Sequence, residues 1–513
     1  MNIKEAKVYI KDTIKIYLEK DEYGEYKIPI SKQRPIFMVG APGIGKTAIM
    51  EQLAEEMGIA LVSYSMTHHT RQSALGLPFI KKKKYGGQEY DVSEYTMSEI
   101  ISTVYDTMET SGITEGILFL DEINCVSETL APSMLEFLQY KTFGRHEVPK
   151  GWIIVTAGNP KEYNRGVRDF DVATLDRLKV MTVEPDFAVW KEYATDKGIC
   201  GSVIGFLQAE TEYFYHIETT VKGRSYVTAR GWEDLSHIIF MYEQNKITVD
   251  YGLISQYIRN EDIARRFLAY YELYNKYKND YTPEEILSGN ASDDVVRKAR
   301  AASFDERLAL LGVLLDYVTT DIREAVDRVC YIEELLNRLM VVKGSSNISV
   351  TLEEEERKCQ ISIDRLEVAG SLSSEKKQLL KKVRSTLNEM LGVLSNNDER
   401  KDKDSSEMSD DNGFAIVKSV YDRELDALKA LEKTVGGRLE ALFRFVEDVF
   451  GDGQEMLVLV SELTENSYSA KYISMFGCSS YSKYSEKLMV SDRKTQLDKK
   501  IKMQEKHLGQ LEM

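Results

Sequence analysis

The chain has 513 residues, 43% hydrophobic and 29% charged, which is globular composition in a chain too long for one ordinary core and suggests three or four units. Its 67 Lys and Arg against 83 Asp and Glu leave a formal charge of −16, which argues against nucleic acid and anionic membrane as partners while leaving room for a local basic groove. Cys125, Cys200, Cys330, Cys359 and Cys478 have no CxxC spacing, and no run of 18 apolar residues or signal-peptide h-region occurs, so neither zinc nor disulfides are indicated and a cytoplasmic protein without membrane spans is expected. In chain order, residues 3–18 place Ala6, Ile10, Ile14 and Leu18 on one helical face. "RPIFMVG" then reads as a buried strand, "AIMEQLAEEMG" as a helix and "IALVSYSM" as a second strand. "GILFLDEIN" and "GWIIVTAGNP" are further strand-length apolar runs, each ending in polar residues. Strands alternating with helices predict an α/β fold with a parallel sheet and its ligand at the carboxyl ends of the strands.

Beyond about residue 190 helices dominate. "GWEDLSHIIFMYEQN" and "IARRFLAYYELYNKY" carry apolar residues at i, i+3 and i+4, and "SFDERLALLGVLLDYV" opens on a Ser303…Glu306 capping box. The helix at 374–394 aligns Leu379, Leu380, Val383, Leu387, Leu391 and Leu394. The polar stretch 395–413 reads as a linker, and 414–513 is again helical. The expected units are an α/β core at 1–190, a helical lid at 191–280, a helical region of unassigned role at 281–394, the linker, and a C-terminal helical region.

Three strand ends carry the chemistry. "GAPGIGKT", Gly40 to Thr47, fits G-x-x-x-x-G-K-[ST] at every fixed position, follows a strand and opens a helix. Its backbone N–H groups and the helix dipole suit phosphates, so Gly40, Ala41, Pro42, Gly43, Ile44, Gly45, Lys46, Thr47 and Ala48 are expected to bind a nucleotide. Lys46 would reach the β and γ oxygens and Thr47 would give its hydroxyl to Mg²⁺. Asp121, ending "ILFLD", can hold Mg²⁺ through water, and Glu122 can orient and deprotonate the attacking water; the competing reading is a helix N-cap. Asn159 can hold the water or γ-phosphate in register, or form an Asx turn before Pro160. Arg177 can stabilise transition-state charge, in the next subunit if it projects outward, or pair with Asp176 at the surface. Arg230 can reach the γ-phosphate from a helix start, or form a structural salt bridge.

This ordered set resembles the AAA+ ATPases. "LQYKTFGRHEVPKGWIIVTAGNPKEYNRGVRDFDVATLDRL" resembles the MoxR-type branch more narrowly, with a hairpin before the Asn-bearing strand and an Asp-Arg pair after "GNP". The resemblance spans about residues 30–280. It implies a P-loop AAA+ core with a helical lid and a further all-α region, ATP and Mg²⁺ as cofactors, and a homo-oligomer in the form of a hexameric ring. It also implies a protein client, often one with a von Willebrand factor A domain, and leaves open whether Arg230 acts in its own or a neighbouring site. The alternatives are a nucleic-acid-stimulated motor and a nucleotide-dependent assembly switch.

Other features carry less. His68 and His69 are neighbours on an extended chain and point apart, so they make no metal pair. Lys81 to Lys84 form either a basic loop that contacts a substrate or a solvated hairpin tip. Cys478 has no base beside it and reads as a small buried residue.

Overall fold

Apolar runs buried on alternate residues toward both sides require a sheet covered on both faces. In the computed structural model, residues 1–68, 74, 76–163, 166–220, 223–345, 347–401 and 410–487 are described. The strands are β1 (Ile36–Gly40), β2 (Ala60–Ser65), β3 (Pro78–Tyr85), β4 (Gln88–Tyr95), β5 (Gly116–Asp121), β6 (Thr142–Phe143), β7 (His146–Glu147), β8 (Trp152–Gly158), β9 (Lys179–Val183), β10 (His216–Thr220) and β11 (Gly223–Val227). Five of them form a parallel sheet in the order β2-β5-β8-β1-β9; β3–β4, β6–β7 and β10–β11 are separate antiparallel pairs. The expected α/β architecture with a parallel sheet followed by many helices is the one observed.

The chain divides into two compact units, each built from separated segments: Met1–Val189, Thr228–Arg230 and Arg338–Gly413 in the first, and the remaining residues in the second. The labelled helices of the first unit are α1 (Ile3–Tyr17), α2 (Ala48–Met57), α3 (Glu99–Ser111), α4 (Ala131–Tyr140), α5 (Val172–Leu175), α6 (Ile348–Val368) and α7 (Ser374–Lys401). Ile36, Met38, Ile117, Phe119, Ile153 and Val155 face Ile10 and Ile14 of α1 and Met50 and Leu53 of α2. The intervening residues Phe37, Leu118, Leu120 and Ile154 face Ile100 and Val104 of α3 and Met134 and Phe137 of α4. An Asn2–Glu5 capping box starts α1, and Gly58 in the left-handed region ends α2.

The pair α6–α7 comes from far along the chain and closes the β2 edge of the sheet. Leu61 N–H donates to the Ala369 carbonyl at 2.7 Å, Ser373 Oγ donates to Glu55 of α2 at 2.8 Å, and Ala369 joins the core under α3. Gly370 has φ +64°, and a Cβ there would lie 2.5 Å from the Leu61 carbonyl oxygen. An edge strand is thereby covered by a tight glycine turn. The segment expected at 281–394 is thus divided between the two units. Within the stretch 395–413, α7 runs on to Lys401 and a helix begins at Asp410, while 402–409 lie outside the described residues.

In the second unit the helices Phe304–Lys343 (through Asn337), Asp410–Phe450 (from Phe414) and Gln454–Glu465 bury Leu310, Leu314, Leu439, Phe443, Leu459 and Leu463 together. Ser303 Oγ accepts the Glu306 N–H at 3.4 Å, which is the N-cap half of the expected capping box, while Glu306 Oε1 accepts from the Tyr281 hydroxyl. Asp316 is buried beside Tyr274, whose hydroxyl donates to it at 3.3 Å, and burial pushes its carboxyl up to about 6.

Candidate active site

Strand order sets the site. β8 lies between β1 and β5, so its end carries Asn159 between the glycine loop after β1 and the Asp-Glu pair after β5. Within the loop, Gly43 and Gly45 have φ +75° and +92°, values that L side chains adopt only under strain. Lys46 is buried, and its ammonium donates to the carbonyls of Gly40 and Ala41 at 2.8 Å each and to Asn159 Oδ1 at 3.0 Å. Burial pulls its pKa down to about 8; Asp121 and Glu122 oppose that shift, and the positive charge of Arg230 adds to it.

Thr47 Oγ1 donates to Asp121 Oδ2 at 3.1 Å, so the hydroxyl and carboxylate expected to share a cation already meet. Asp121 Oδ1 takes the Glu122 N–H at 2.8 Å, which fixes Glu122 in the left-handed region at φ +55°. The Glu122 carboxylate turns toward the end of β2, where Ser65 Oγ and Thr67 Oγ1 donate to Oε2 at 3.2 and 3.0 Å. Asn124 is buried in the turn that follows, and its Nδ2 donates to the Asn159 carbonyl at 2.8 Å. Thr228–Arg230 count with this unit although the residues on either side do not, and the Arg230 N–H donates to the Gly43 carbonyl at 3.3 Å. Thr228 sits against Gly43, where a Cβ would come within 3.1 Å of Thr228 Oγ1.

Lys46, Thr47, Asp121, Glu122, Asn159 and Arg230 therefore converge at the carboxyl ends of three strands. Arg177 does not join them: it is exposed, its Nη1 donates to Ala173 O at 2.7 Å within its own turn, and among the described residues no bond links it to that network. Asp171 caps this short turn through the Thr174 N–H, so the arginine stands on a defined element. Ser65, Thr67, Asn124 and Thr228 were not anticipated. The polar end of "ALVSYS" at the carboxyl edge of the sheet was the available signal for the first two, whereas Asn124 and Thr228 are contacts that only the fold makes.

The lysine run is a strand rather than a tip. Lys81 to Lys84 lie in β3, and the turn is Gly86-Gly87. Lys82 faces Asp91, Lys84 pairs with Glu89 at 3.5 Å, and Lys83 pairs with Glu94, which also takes Arg145 of the β6–β7 turn at 2.9 Å. His68 ends a short 3-10 turn, and His69 lies outside the described residues. Cys478 is buried and donates to Glu440 at 3.4 Å, and its thiol is pushed up to about 12, which suits an inert packing residue.

No curated protein matches the chain. Residues 35–178, which span β1 through the Arg177 turn, match the family model described as AAA domain (dynein-related subfamily). Together with the sheet order and the loop, this match supports an AAA+ ATPase domain in the α/β core.

Proposed function

We propose that the protein hydrolyses ATP with Mg²⁺ and uses the cycle to remodel or activate a protein client, as a ring of identical subunits of the MoxR type. One observation carries the hydrolysis reading: Lys46 is bonded to Asn159 and Thr47 to Asp121, with Glu122 beside them. The residues fit the groups they would hold. Two positive-φ glycines leave the loop backbone open to phosphates, and a buried ammonium resting on two carbonyls is ready to exchange them for phosphate oxygens. Thr47 and Asp121 offer hard oxygen donors to Mg²⁺, which supplies charge neutralisation on the phosphates when bound.

The chain's own groups do the rest. Asn159 keeps Lys46 and the attacking water in register, and Glu122 accepts the water's proton once its carboxylate leaves Ser65 and Thr67. Arg230, next to Gly43, adds positive charge on the γ side. Arg177 is read as acting on the neighbour's nucleotide. Its exposure supports that reading, as does Val172, an apolar side chain left 83% exposed in the same turn.

A client with a von Willebrand factor A domain is inferred from resemblance to the MoxR-type branch. The nucleic-acid reading is disfavoured because Lys82, Lys83 and Lys84 of β3 are matched by Asp91, Glu94 and Glu89 of β4. No described helix is long and apolar enough to cross a membrane. The test is Glu122→Gln, which should bind ATP with unchanged affinity while turnover falls by about 10³-fold. Normal turnover in that variant would overturn the assignment of the base.

A further inference from the structure

Asn124 is a buried polar side chain placed between two strand ends. It lies in the Ile123–Cys125 turn after β5, and both ends of its amide are directed at the end of β8. Nδ2 donates to the Asn159 carbonyl at 2.8 Å. Oδ1 occupies the space of a missing side chain, since a Cβ on Gly158 would lie 2.5 Å from it. Gly158 is fully extended in a strand and needs no special φ, so the close approach of this amide is the reason for a glycine there. The Asn124 carbonyl is used as well, accepting the Arg168 N–H at 2.9 Å on the way to the Arg177 turn.

The consequence falls on Asn159. Its side chain receives Lys46 at 3.0 Å, and its own carbonyl is held from behind by Asn124. A peptide clamped on one side presents its amide in one orientation on the other, which is the arrangement that positions reacting groups. We propose that Asn124 is a positioning residue for ATP hydrolysis, fixing the β8 terminus so that Asn159 meets Lys46 and the attacking water. This rests on the hydrolysis reading above. Asn124 acts on Asn159 rather than on the glycine loop, so its removal should be felt in turnover rather than in binding.

The experiment compares Asn124→Asp, Asn124→Ala, Gly158→Ala and the Asn124→Ala/Gly158→Ala pair in the full-length chain, reading kcat and the affinity for ATP. Asn124→Asp keeps the shape but turns an oxygen toward the Asn159 carbonyl; kcat should fall by about 10²-fold while ATP affinity stays within about threefold. A buried carboxyl beside a carbonyl titrates high and regains a donor when protonated, so the loss relative to wild type should shrink between about pH 8 and about pH 6. Gly158→Ala should act by displacing the amide, and should therefore add less than about twofold once Asn124 is already alanine. Turnover in Asn124→Asp within about twofold of wild type would overturn the proposal, as would equal losses of affinity and kcat with no recovery at low pH. A wild-type chain without turnover would bring down the hydrolysis reading and this inference together, whereas normal turnover in Asn124→Asp brings down this one alone.

Discussion

The two sides of the candidate site are built differently. On the loop side, Lys46 is buried and bonded to Gly40, Ala41 and Asn159, and Thr47 meets Asp121. On the arginine side, Arg177 is exposed on a four-residue turn, bonded to a carbonyl of that same turn. Folding a single chain finishes the first side, because parallel strands in the order β5-β8-β1 bring three strand ends together. The second side is presented outward. Under the proposed function, hydrolysis is divided between what one subunit binds and what a second subunit completes.

The largest effect is expected from Arg177→Ala. Under the proposed account it should lower ATP turnover by about 10³-fold while leaving nucleotide affinity unchanged; turnover close to wild type would show that the arginine is a surface residue. The next effect reaches the loop side from behind. Gly370→Ala adds a Cβ 2.5 Å from the Leu61 carbonyl at φ +64°, so β2 must shift. The expected cost is about 2 kcal/mol of stability in chemical denaturation, with β2 and hence Ser65 and Thr67 loosened.

Gly43→Ala acts inside the cradle. Its φ of +75° and the 3.1 Å approach to Thr228 make alanine strained, and ATP affinity should fall by about tenfold in an equilibrium binding assay. The smallest effect is a control in the second unit. Asp316 binds its proton more tightly in the fold, at about 6, than at its ordinary 3.8, so its stabilising contribution is complete below 3.8 and lost as pH rises through about 6. Stability should drop by about 1 kcal/mol between about pH 5 and about pH 7, and Asp316→Asn should flatten that slope.

The loop side was legible from sequence because its chemistry is local. "GAPGIGKT", "ILFLDEIN" and "IIVTAGNP" each put a short motif at the end of an apolar strand, and strand-then-polar patterning survives without knowledge of the fold. The helices were legible for the same reason: periodicity and the Ser303 cap are short-range signals. What stayed hidden depends on contacts between distant segments. Nothing near Leu61 announces that Ala369 will bond to it, 308 residues later by the difference of their numbers. Arg230 read as part of a lid, yet Thr228 to Arg230 alone return to the loop while the residues on either side belong to the second unit. Lys81 to Lys84 looked like a basic tip because the carboxylates that face them lie on the following strand, beyond a glycine turn.

The most direct test of a site shared between subunits is a mixing experiment. Arg177→Ala keeps an intact loop, and Lys46→Ala, unable to bind nucleotide, keeps an intact arginine. Each variant alone should be inactive. Mixed in equal amounts, they should recover ATP turnover, because a Lys46→Ala subunit offers Arg177 to the loop of its neighbour. Turnover that stays at the sum of the two separate variants, in assemblies shown to contain both, would contradict the account.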